Sequence, residues 1–210
     1  MSTGCFITLE GGEGTGKSTL ISELCSRLEA SGKTVVRTRE PGGTPLAESI
    51  RNLVLHPQDG QAWSPMAEAL LMNAARTDHL EKLIRPAIAR GDWVVCDRFA
   101  DSTRVYQSVT DGVKEDVLAL MEQFVVAGTK PDLTLVLDVP VAVALERRQS
   151  RAGAQDAFEA RDAAFHQRVR EAFLQLANRE KDRCVLIDAT LPIDTVADRA
   201  WSAVTTRLGN

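Results

Sequence analysis

The chain has 210 residues, of which 44% are apolar and 26% are charged, as in an ordinary globular domain with a large core. Its formal net charge of −4 argues against a surface that coats nucleic acid, although a small anionic ligand needs only local positive charge. The sequence has no signal segment and no apolar run of the about eighteen residues that span a bilayer, so we expect a cytoplasmic protein that binds no membrane.

The first distinctive stretch joins a strand to a helix through glycines. Apolar residues 6–9 predict a buried strand, and residues 20–28 carry apolar side chains at helical spacing. Between them, residues 11–18 read Gly-x-x-x-x-Gly-Lys-Ser, the pattern of a phosphate-binding loop. The backbone N–H groups of such a loop hold phosphate oxygens, Lys17 adds a positive charge, and Ser18 offers an oxygen to Mg²⁺. A chance match is the alternative, and the flanking strand and helix argue against it.

Strands and helices alternate along the rest of the chain. Apolar runs predict four more strands, at residues 34–39, 93–97, 133–138 and 184–188. Helical spacing predicts helices at residues 46–55, 66–89, 101–108, 114–127 and 141–150, then from beyond 161 to about 177, and at 193–208. This alternation predicts a three-layer α/β fold, in which helices cover both faces of a five-stranded parallel sheet, within one domain over 1–210.

Ligands of parallel sheets bind beyond the carboxyl ends of the strands. That rule brings the phosphate loop, residues 39–43, residues 97–102 and Asp138 to one edge. The nineteen arginines among the 25 basic residues suit phosphate, because a planar guanidinium matches its geometry.

Three residues at the strand ends and one on a helix have side chains suited to Mg²⁺ or phosphate. Asp97 closes an apolar strand, where a carboxylate can position hydrated Mg²⁺, although an isolated Asp there is typical of a helix cap. Arg98, beside it, can hold phosphate. Arg39 ends another strand, and taken alone it is typical of a surface ion-pair partner. Arg76 lies on an apolar helix face, where its charge needs either a ligand or a buried glutamate.

Five segments together resemble bacterial thymidylate kinases. They are residues 10–19 (EGGEGTGKST), 38–44 (TREPGGT), 74–76 (AAR), 97–107 (DRF and STRVYQ) and 130–138 (KPDLTLVLD). The resemblance runs in order from residue 5 to about 188. The phosphate loop alone indicates only a binder of nucleotide phosphate; the DRF, YQ and REPGG segments are the specific part.

The resemblance implies ATP-dependent transfer of a phosphoryl group to dTMP with Mg²⁺, on a P-loop nucleoside monophosphate kinase fold that forms a homodimer. It implies a monophosphate-binding region at about 39–76 and a lid at about 147–161. The residues expected to bind ATP are Gly11, Gly12, Glu13, Gly14, Thr15, Gly16, Lys17, Ser18 and Arg147. Those expected to bind dTMP are Glu13, Arg39, Met72, Arg76, Arg98, Ser102, Thr103, Tyr106 and Gln107. The residues expected to hold the metal are Ser18 and Asp97.

The roles of several residues follow from the resemblance. Arg39 and Arg98 are expected to clamp the acceptor phosphate, and Glu13 to reach the sugar 3′-hydroxyl or an associated water or metal. Tyr106 is expected to crowd the position of a ribose 2′-hydroxyl; a core tyrosine with a satisfied hydroxyl is the alternative. Met72 replaces the family's usual Phe against thymine, and methionine can cover a base face less rigidly.

One arginine of this family meets the transferring phosphoryl group, from the phosphate loop or from the lid. Gly14 occupies the loop position and cannot serve, whereas the lid offers Arg147, Arg148 and Arg151. By position, Arg151 is expected to act in catalysis with Lys17 and Arg98, and Arg147 to stack on adenine. A solvated charge run is the alternative for each lid arginine.

Three other functions stay open at this point. Residues 129–132 (TKPD) superficially match the guanine-binding motif of regulatory GTPases, although the motif there follows a strand and here precedes one. A kinase of another deoxynucleoside monophosphate would share the fold. A scaffold protein that keeps an inactive loop is disfavoured because the catalytic residue types are present.

Overall fold

The computed structural model describes residues 4–57, 61–109, 112–150 and 156–209. Within these ranges, five strands form one parallel sheet in the order β2-β3-β1-β4-β5. The strands are Phe6–Glu10 (β1), Val35–Arg39 (β2), Trp93–Asp97 (β3), Leu133–Asp138 (β4) and Cys184–Asp188 (β5). The predicted α/β fold with a five-stranded parallel sheet is confirmed.

Helices connect successive strands, and one more follows β5. They are Lys17–Ala30 (α1), Pro45–Leu55 (α2), Pro65–His79 (α3), Arg85–Ala89 (α4), Ala100–Tyr106 (α5), Glu115–Val126 (α6), Val141–Gln149 (α7), Ala163–Arg179 (α8) and Ile193–Leu208 (α9). In the described part of the chain, none of them combines the length and the apolar character needed to cross a membrane.

The predicted helix over 66–89 is interrupted. A π-helical turn, Leu80–Ile84, lies between α3 and α4. Such a turn inserts an extra residue into the helix. Both Leu80 and Ile84 are fully buried, in the cluster that contains Phe6 and Phe99.

The strands at the centre of the sheet bury side chains on both faces, as their continuous apolar runs predict. In β1, Ile7 and Leu9 pack in a cluster that includes residues of α1 and α9, whereas Phe6 packs with the π-helical turn on the opposite face. Each large apolar side chain buried in this way contributes about 1.5–3 kcal/mol of transfer free energy. The helices on both faces therefore fix the positions of the strand ends.

A buried polar cluster fixes the start of α5 relative to the sheet. The Arg183 guanidinium donates two hydrogen bonds to the Asp101 carboxylate, at 2.7 and 3.0 Å. It also donates to Thr134 Oγ1 of β4 at 2.6 Å, and this hydroxyl is hydrogen-bonded to Thr8 Oγ1 of β1 at 2.7 Å. Since a bidentate Arg–carboxylate pair has a specific geometry, it sets the orientation of α5, whose residues face the site described next.

Candidate active site

The phosphate loop follows β1 and leads directly into α1. Gly11, Gly14 and Gly16 have φ of 131°, 75° and 94°, which side-chain-bearing residues rarely adopt. A Cβ atom at Gly11 would clash with the Leu137 carbonyl oxygen of β4, and one at Gly14 with the Ala144 carbonyl oxygen of α7. The glycines therefore let the loop pack closely against both elements and turn its N–H groups toward an anion at the start of α1.

Lys17 lies in the first turn of α1 and is buried. Its Nζ donates hydrogen bonds to the carbonyl oxygens of Gly11 at 3.1 Å and Gly12 at 2.8 Å. Burial and the positive charge of Arg98 lower the Lys17 pKa to about 8, and the carboxylates of Glu13 and Asp97 partly offset this effect. The ammonium group is thus held against the loop that would carry phosphate.

A large open cavity lies beyond the carboxyl ends of β1, β2 and β3. All nine residues expected to bind dTMP line it, together with Gly14, Thr15, Gly16, Lys17, Ser18 and Asp97. Gly12 lines a smaller cavity behind the loop, and Gly11 contributes its carbonyl oxygen to Arg98 and Lys17. The structure therefore brings the phosphate loop and the residues expected to bind dTMP, which are far apart in sequence, into one cavity.

Two arginines of the expected lid, Arg147 and Arg151, have assigned roles. Arg147 does not line this cavity; it donates to the Ala189 carbonyl oxygen, just after β5, at 3.0 Å. Arg151 lies outside the described residues.

Arg98 connects the phosphate loop to α5. It has a positive φ of 66°, which is uncommon for a residue with a side chain and costs on the order of 1–3 kcal/mol. Its guanidinium donates to the Gly11 carbonyl oxygen at 3.0 Å, to Ser102 Oγ at 3.0 Å and to Glu13 Oε1 at 2.7 Å. Burial opposes ionisation of Glu13, but the charges of Arg98 and Lys17 outweigh it and lower the Glu13 pKa to about 2. Glu13 is therefore an ionised hydrogen-bond acceptor at the cavity wall.

Tyr106 is packed in the core and also lines the cavity. Its hydroxyl accepts a hydrogen bond from Arg98 at 3.1 Å and donates one to Glu13 at 3.1 Å, so the hydroxyl is satisfied as in a core tyrosine. Its ring packs edge-on against Phe158 and Phe173, yet it also lines the cavity.

Glu10 anchors the turn that carries Arg98, a role that the sequence patterns do not predict. It lies fully buried at the end of β1, and its carboxylate accepts from Phe99 N–H at 2.8 Å, Ser102 N–H at 3.3 Å and Ser102 Oγ at 2.6 Å. Burial, assisted by the negative charge of Asp101, raises the Glu10 pKa to about 7. A charged residue at the end of an apolar strand is the signal that could have identified it, since it needs buried partners.

Arg76 has the buried glutamate partner that its sequence context allows. Its Nε donates to Glu40 Oε2 at 2.8 Å, Nη1 to Asn73 Oδ1 at 3.1 Å and Nη2 to Thr103 Oγ1 at 2.9 Å. Only 3% of Arg76 is exposed, and it still lines the cavity. His79 lies on the other side of Glu40, 3.1 Å from Oε1. Arg76 therefore faces both a structural partner and the cavity.

Two further arginines line the cavity near α2. Arg39 is half exposed and pairs with Glu48 at 3.0 Å, as expected of a surface ion pair. Arg51, which sequence reasoning missed, donates to the Pro41 carbonyl oxygen at 3.0 Å. Burial and the adjacent charge of Arg39 lower the Arg51 pKa. Two guanidinium groups that repel each other in one cavity form a favourable site for an anion.

Asp97 and Ser18 supply oxygen atoms to the same cavity. Asp97 Oδ1 is buried, and among the described residues none donates a hydrogen bond to it. Buried polar atoms normally have a partner, so this oxygen is suited to an external ligand. Carboxylate and hydroxyl oxygens are the ligand types that Mg²⁺ prefers.

Residues 129–132 do not occupy a guanine-binding position. Asp132 Oδ2 accepts from Phe6 N–H at 2.7 Å, and Thr129 Oγ1 accepts from Arg85 Nε at 2.9 Å. Both contacts lie at the amino ends of β1 and β4, whereas the phosphate loop follows the carboxyl end of β1. The geometry argues against the GTPase alternative.

Relatives match almost the whole chain. The family model described as Thymidylate kinase matches residues 9–200. The thymidylate kinase of Caulobacter vibrioides is 50% identical over 209 residues, 100% of this chain and 100% of the relative. Those of Bradyrhizobium sp. (strain BTAi1) and Nitrobacter winogradskyi are 52% and 51% identical, over 98% and 96% of this chain and 91% and 88% of the relatives.

The raised pKa of Glu10 predicts a pH-dependent stability that Glu10→Gln removes. The Glu10 pKa is about 7 in the folded protein and 4.5 ordinarily. The protonated carboxyl group therefore contributes to the free energy of unfolding fully below pH 4.5, and this contribution is lost as the pH rises through about 7. We expect the free energy of unfolding of Glu10→Gln minus that of wild type to rise by about 1–3 kcal/mol between about pH 5 and pH 8, measured by urea denaturation. Glu81→Gln, at an exposed position, controls for the change in net charge. A difference that is constant with pH would contradict the prediction.

Proposed function

The chain belongs to the thymidylate kinase family, and we propose that it transfers the γ-phosphoryl group of ATP to dTMP, giving dTDP and ADP. One observation carries this proposal: the phosphate loop and the arginines of the acceptor side line the same cavity. A donor held by the loop and an acceptor held by the arginines would meet in one enclosure. An oxygen of the dTMP phosphate would then attack the γ-phosphorus as the bond to the β-phosphate oxygen breaks.

On the donor side, residues 11–18 would hold the ATP phosphates through main-chain N–H groups. The conformation of the glycines and the position of Lys17 support this role. Arg147, which lies beside the loop after β5, would stack on adenine. The positive end of α1 and the Lys17 ammonium would stabilise charge on the transferring group.

On the acceptor side, Arg39 and Arg98 would clamp the dTMP phosphate, and we add Arg51 to this clamp. Their guanidinium groups offset the repulsion between two anions that must approach in line. Glu13, ionised and held by Arg98, would accept a hydrogen bond from the sugar 3′-hydroxyl.

The base would lie among the other lining residues. Met72 would cover one face of thymine, while Arg76, Ser102, Thr103 and Gln107 would contact its edge. Tyr106 would occupy the space beside the sugar where a ribose 2′-hydroxyl would lie. Its packing against Phe158 and Phe173 supports a rigid wall that excludes ribonucleotides.

Mg²⁺ fits the oxygen atoms at the junction of the two sides. Ser18 and Asp97 would hold it, and the buried Oδ1 of Asp97, which accepts no hydrogen bond from the described residues, supports this assignment. When bound, the ion would neutralise negative charge on the phosphates.

We propose one kinase domain over 1–210, with a monophosphate-binding region at about 39–76 and a lid at about 147–161. The end of the proposed lid contacts the cavity, since Asp156, Phe158 and Glu159 line it. Arg148 ties this segment to α8, because it donates to the Glu159 carbonyl oxygen and lies 3.0 Å from His166 Nε2.

We also propose a homodimer formed by α2, α3 and α6. Contacts of α3 with both α2 and α6 support one continuous surface. Exposed apolar residues occur on these helices at spacings that place them on one face. They are Leu46 and Leu53 of α2, Met66 and Leu70 of α3, and Leu120 and Phe124 of α6. Such a patch is typical of a protein interface.

The proposed reaction is tested by a substrate panel. With ATP and coupled detection of ADP, we expect dTMP to be the preferred acceptor over dUMP, dCMP and dAMP. Guanine-nucleotide affinity, measured on the same preparation, should be weak. Preference for another monophosphate would identify a different kinase of this fold, and tight GTP binding without transfer would contradict the proposal.

Arg151→Ala should lose most turnover. An arginine that stabilises the transferring phosphoryl group contributes about 10³- to 10⁵-fold in rate, so kcat should fall steeply. Binding of dTMP, measured by calorimetry, should persist. Arg168→Ala, at an exposed arginine of α8, is the control and should keep wild-type turnover. Near-normal kcat for Arg151→Ala would refute the assignment.

Phe124→Asp should convert the dimer to a monomer, because Phe124 of α6 is the most exposed of these six apolar residues, at 74%, and a charge buried there in the interface is costly. Size-exclusion chromatography with light scattering measures the mass. Ile193→Asp, an exposed apolar position at the start of α9, should leave the dimer intact. A monomeric wild type, or a dimeric Phe124→Asp, would contradict the proposed interface.

A further inference from the structure

The side chain of Gln107 lies between the cavity and a buried carboxylate. Gln107 follows α5, is only 1% exposed and lines the cavity. Its Nε2 donates a hydrogen bond to Glu68 Oε2 of α3 at 3.1 Å. Its backbone is also held, because its N–H donates to the Thr103 carbonyl oxygen and its carbonyl accepts from Val113 N–H. The side chain is therefore fixed from behind.

This contact determines which atom of the Gln107 amide faces the cavity. An ionised carboxylate can only accept hydrogen bonds, so it must face the NH₂ group of the amide. The carbonyl oxygen, Oε1, then points away from the carboxylate and is the acceptor that Gln107 offers to a ligand. Turning the amide over would place Oε1 against the carboxylate and leave two buried acceptors without donors, which is costly.

Arg161 supports the ionised form of Glu68 from the other side. Its Nη2 lies 3.3 Å from Glu68 Oε1. Burial raises the Glu68 pKa, whereas the Gln107 hydrogen bond and the charge of Arg161 act in the opposite direction. The three side chains form a short chain from the end of the proposed lid to the cavity.

Pyrimidine bases differ in the atom that such an oxygen would meet. Thymine and uracil carry a hydrogen on N3 and donate it, whereas N3 of cytosine has a lone pair and accepts. An amide oxygen fixed toward the base therefore binds the first two and repels the third. We infer that Glu68 is a specificity-determining positioning residue: without touching the nucleotide, it fixes the polarity of Gln107 so that the site rejects cytosine. The inference rests on the proposed function, in which Gln107 contacts the base.

Arg76 contributes to base selection independently of Glu68. It is held by Glu40, Asn73 and Thr103, and it can only donate. An arginine at this position matches a base carbonyl and repels the amino group of cytosine. Loss of Glu68 should therefore relax the selectivity rather than abolish it.

The experiment compares dUMP with dCMP, because both lack the thymine methyl group and share sugar and phosphate. We expect Glu68→Gln to lower the ratio of kcat/KM for dUMP to that for dCMP by about tenfold, since the amide of Gln107 can then present either atom. Glu81→Gln, an exposed change of the same chemistry, should keep the wild-type ratio. Should Glu68→Gln fail to fold, Glu68→Ala, which leaves room for water, should lower the ratio in the same way.

Gln107→Met tests whether the orientation of the Gln107 amide, and not only the packing of this side chain, determines the selectivity. It removes both amide atoms, so it should lower the ratio by itself, and adding Glu68→Gln should change the ratio no further. The inference is overturned if both Glu68 variants change kcat/KM for dUMP and for dCMP by the same factor while Gln107→Met lowers the ratio. In that case the proposed contact of Gln107 with the base stands. A wild-type ratio near one, or an unchanged ratio in Gln107→Met, overturns both.

Discussion

The ion pair between Arg98 and Glu13 joins the two halves of the site. It links the phosphate loop to the turn between β3 and α5 at 2.7 Å, and both side chains are largely withdrawn from water. Burying two charges costs more than their attraction returns unless the remaining hydrogen-bonding groups are satisfied. Here the guanidinium also donates to Gly11, Ser102 and Tyr106. The loop that would hold one nucleotide is therefore tied to the side chains that would hold the other.

Local sequence determines much of this fold. The apolar runs at residues 93–97, 133–138 and 184–188 predict strands whose bounds match the structure. The first two are buried on both faces, where strands need apolar side chains throughout, whereas β5 lies at the edge of the sheet and exposes Leu186. The π-helical turn at Leu80–Ile84 is not predictable in the same way, since apolar spacings of three and four residues fit an uninterrupted helix equally well. The strand order cannot be predicted from periodicity either, because packing between distant segments determines which strands are neighbours in the sheet.

In the site, too, the lining residues are predictable from local sequence, whereas their hydrogen-bond partners are not. Motif spacing, with the family resemblance, predicts the residues that line the cavity, because the carboxyl ends of parallel strands converge there. It does not predict what holds them. Arg76 is satisfied by Glu40, 36 residues away, and Gln107 by Glu68, 39 residues away. Such pairs depend on how α3 lies against the cavity, which only the folded chain specifies.

Because of these partners, the two ends of the cavity differ in charge. At the end where the base would lie, charge is neutralised from within the protein, because Glu40 pairs with Arg76 in the buried interior. At the phosphate end, Arg98 is paired with Glu13, but the other cations are compensated less. Lys17 and Arg51 donate to backbone carbonyl oxygens, which carry no net charge, and Arg39 pairs with Glu48 in contact with solvent, where screening weakens the attraction.

Positive potential therefore remains where the phosphates of two nucleotides would approach, and the base end stays close to neutral. A nucleotide has the complementary distribution, with its charge at one end and an uncharged base at the other. The two ends of the cavity thus select its orientation before any hydrogen bond to the base is formed, since long-range attraction acts on the phosphate first. Fixed polar groups such as Gln107 then need only distinguish among bases already held in the correct orientation. Separating orientation from discrimination in this way requires that the charges at the base end be paired more completely than those of the clamp. Arg76 is paired with buried Glu40 at the base end, whereas Arg51 of the clamp donates only to a carbonyl oxygen.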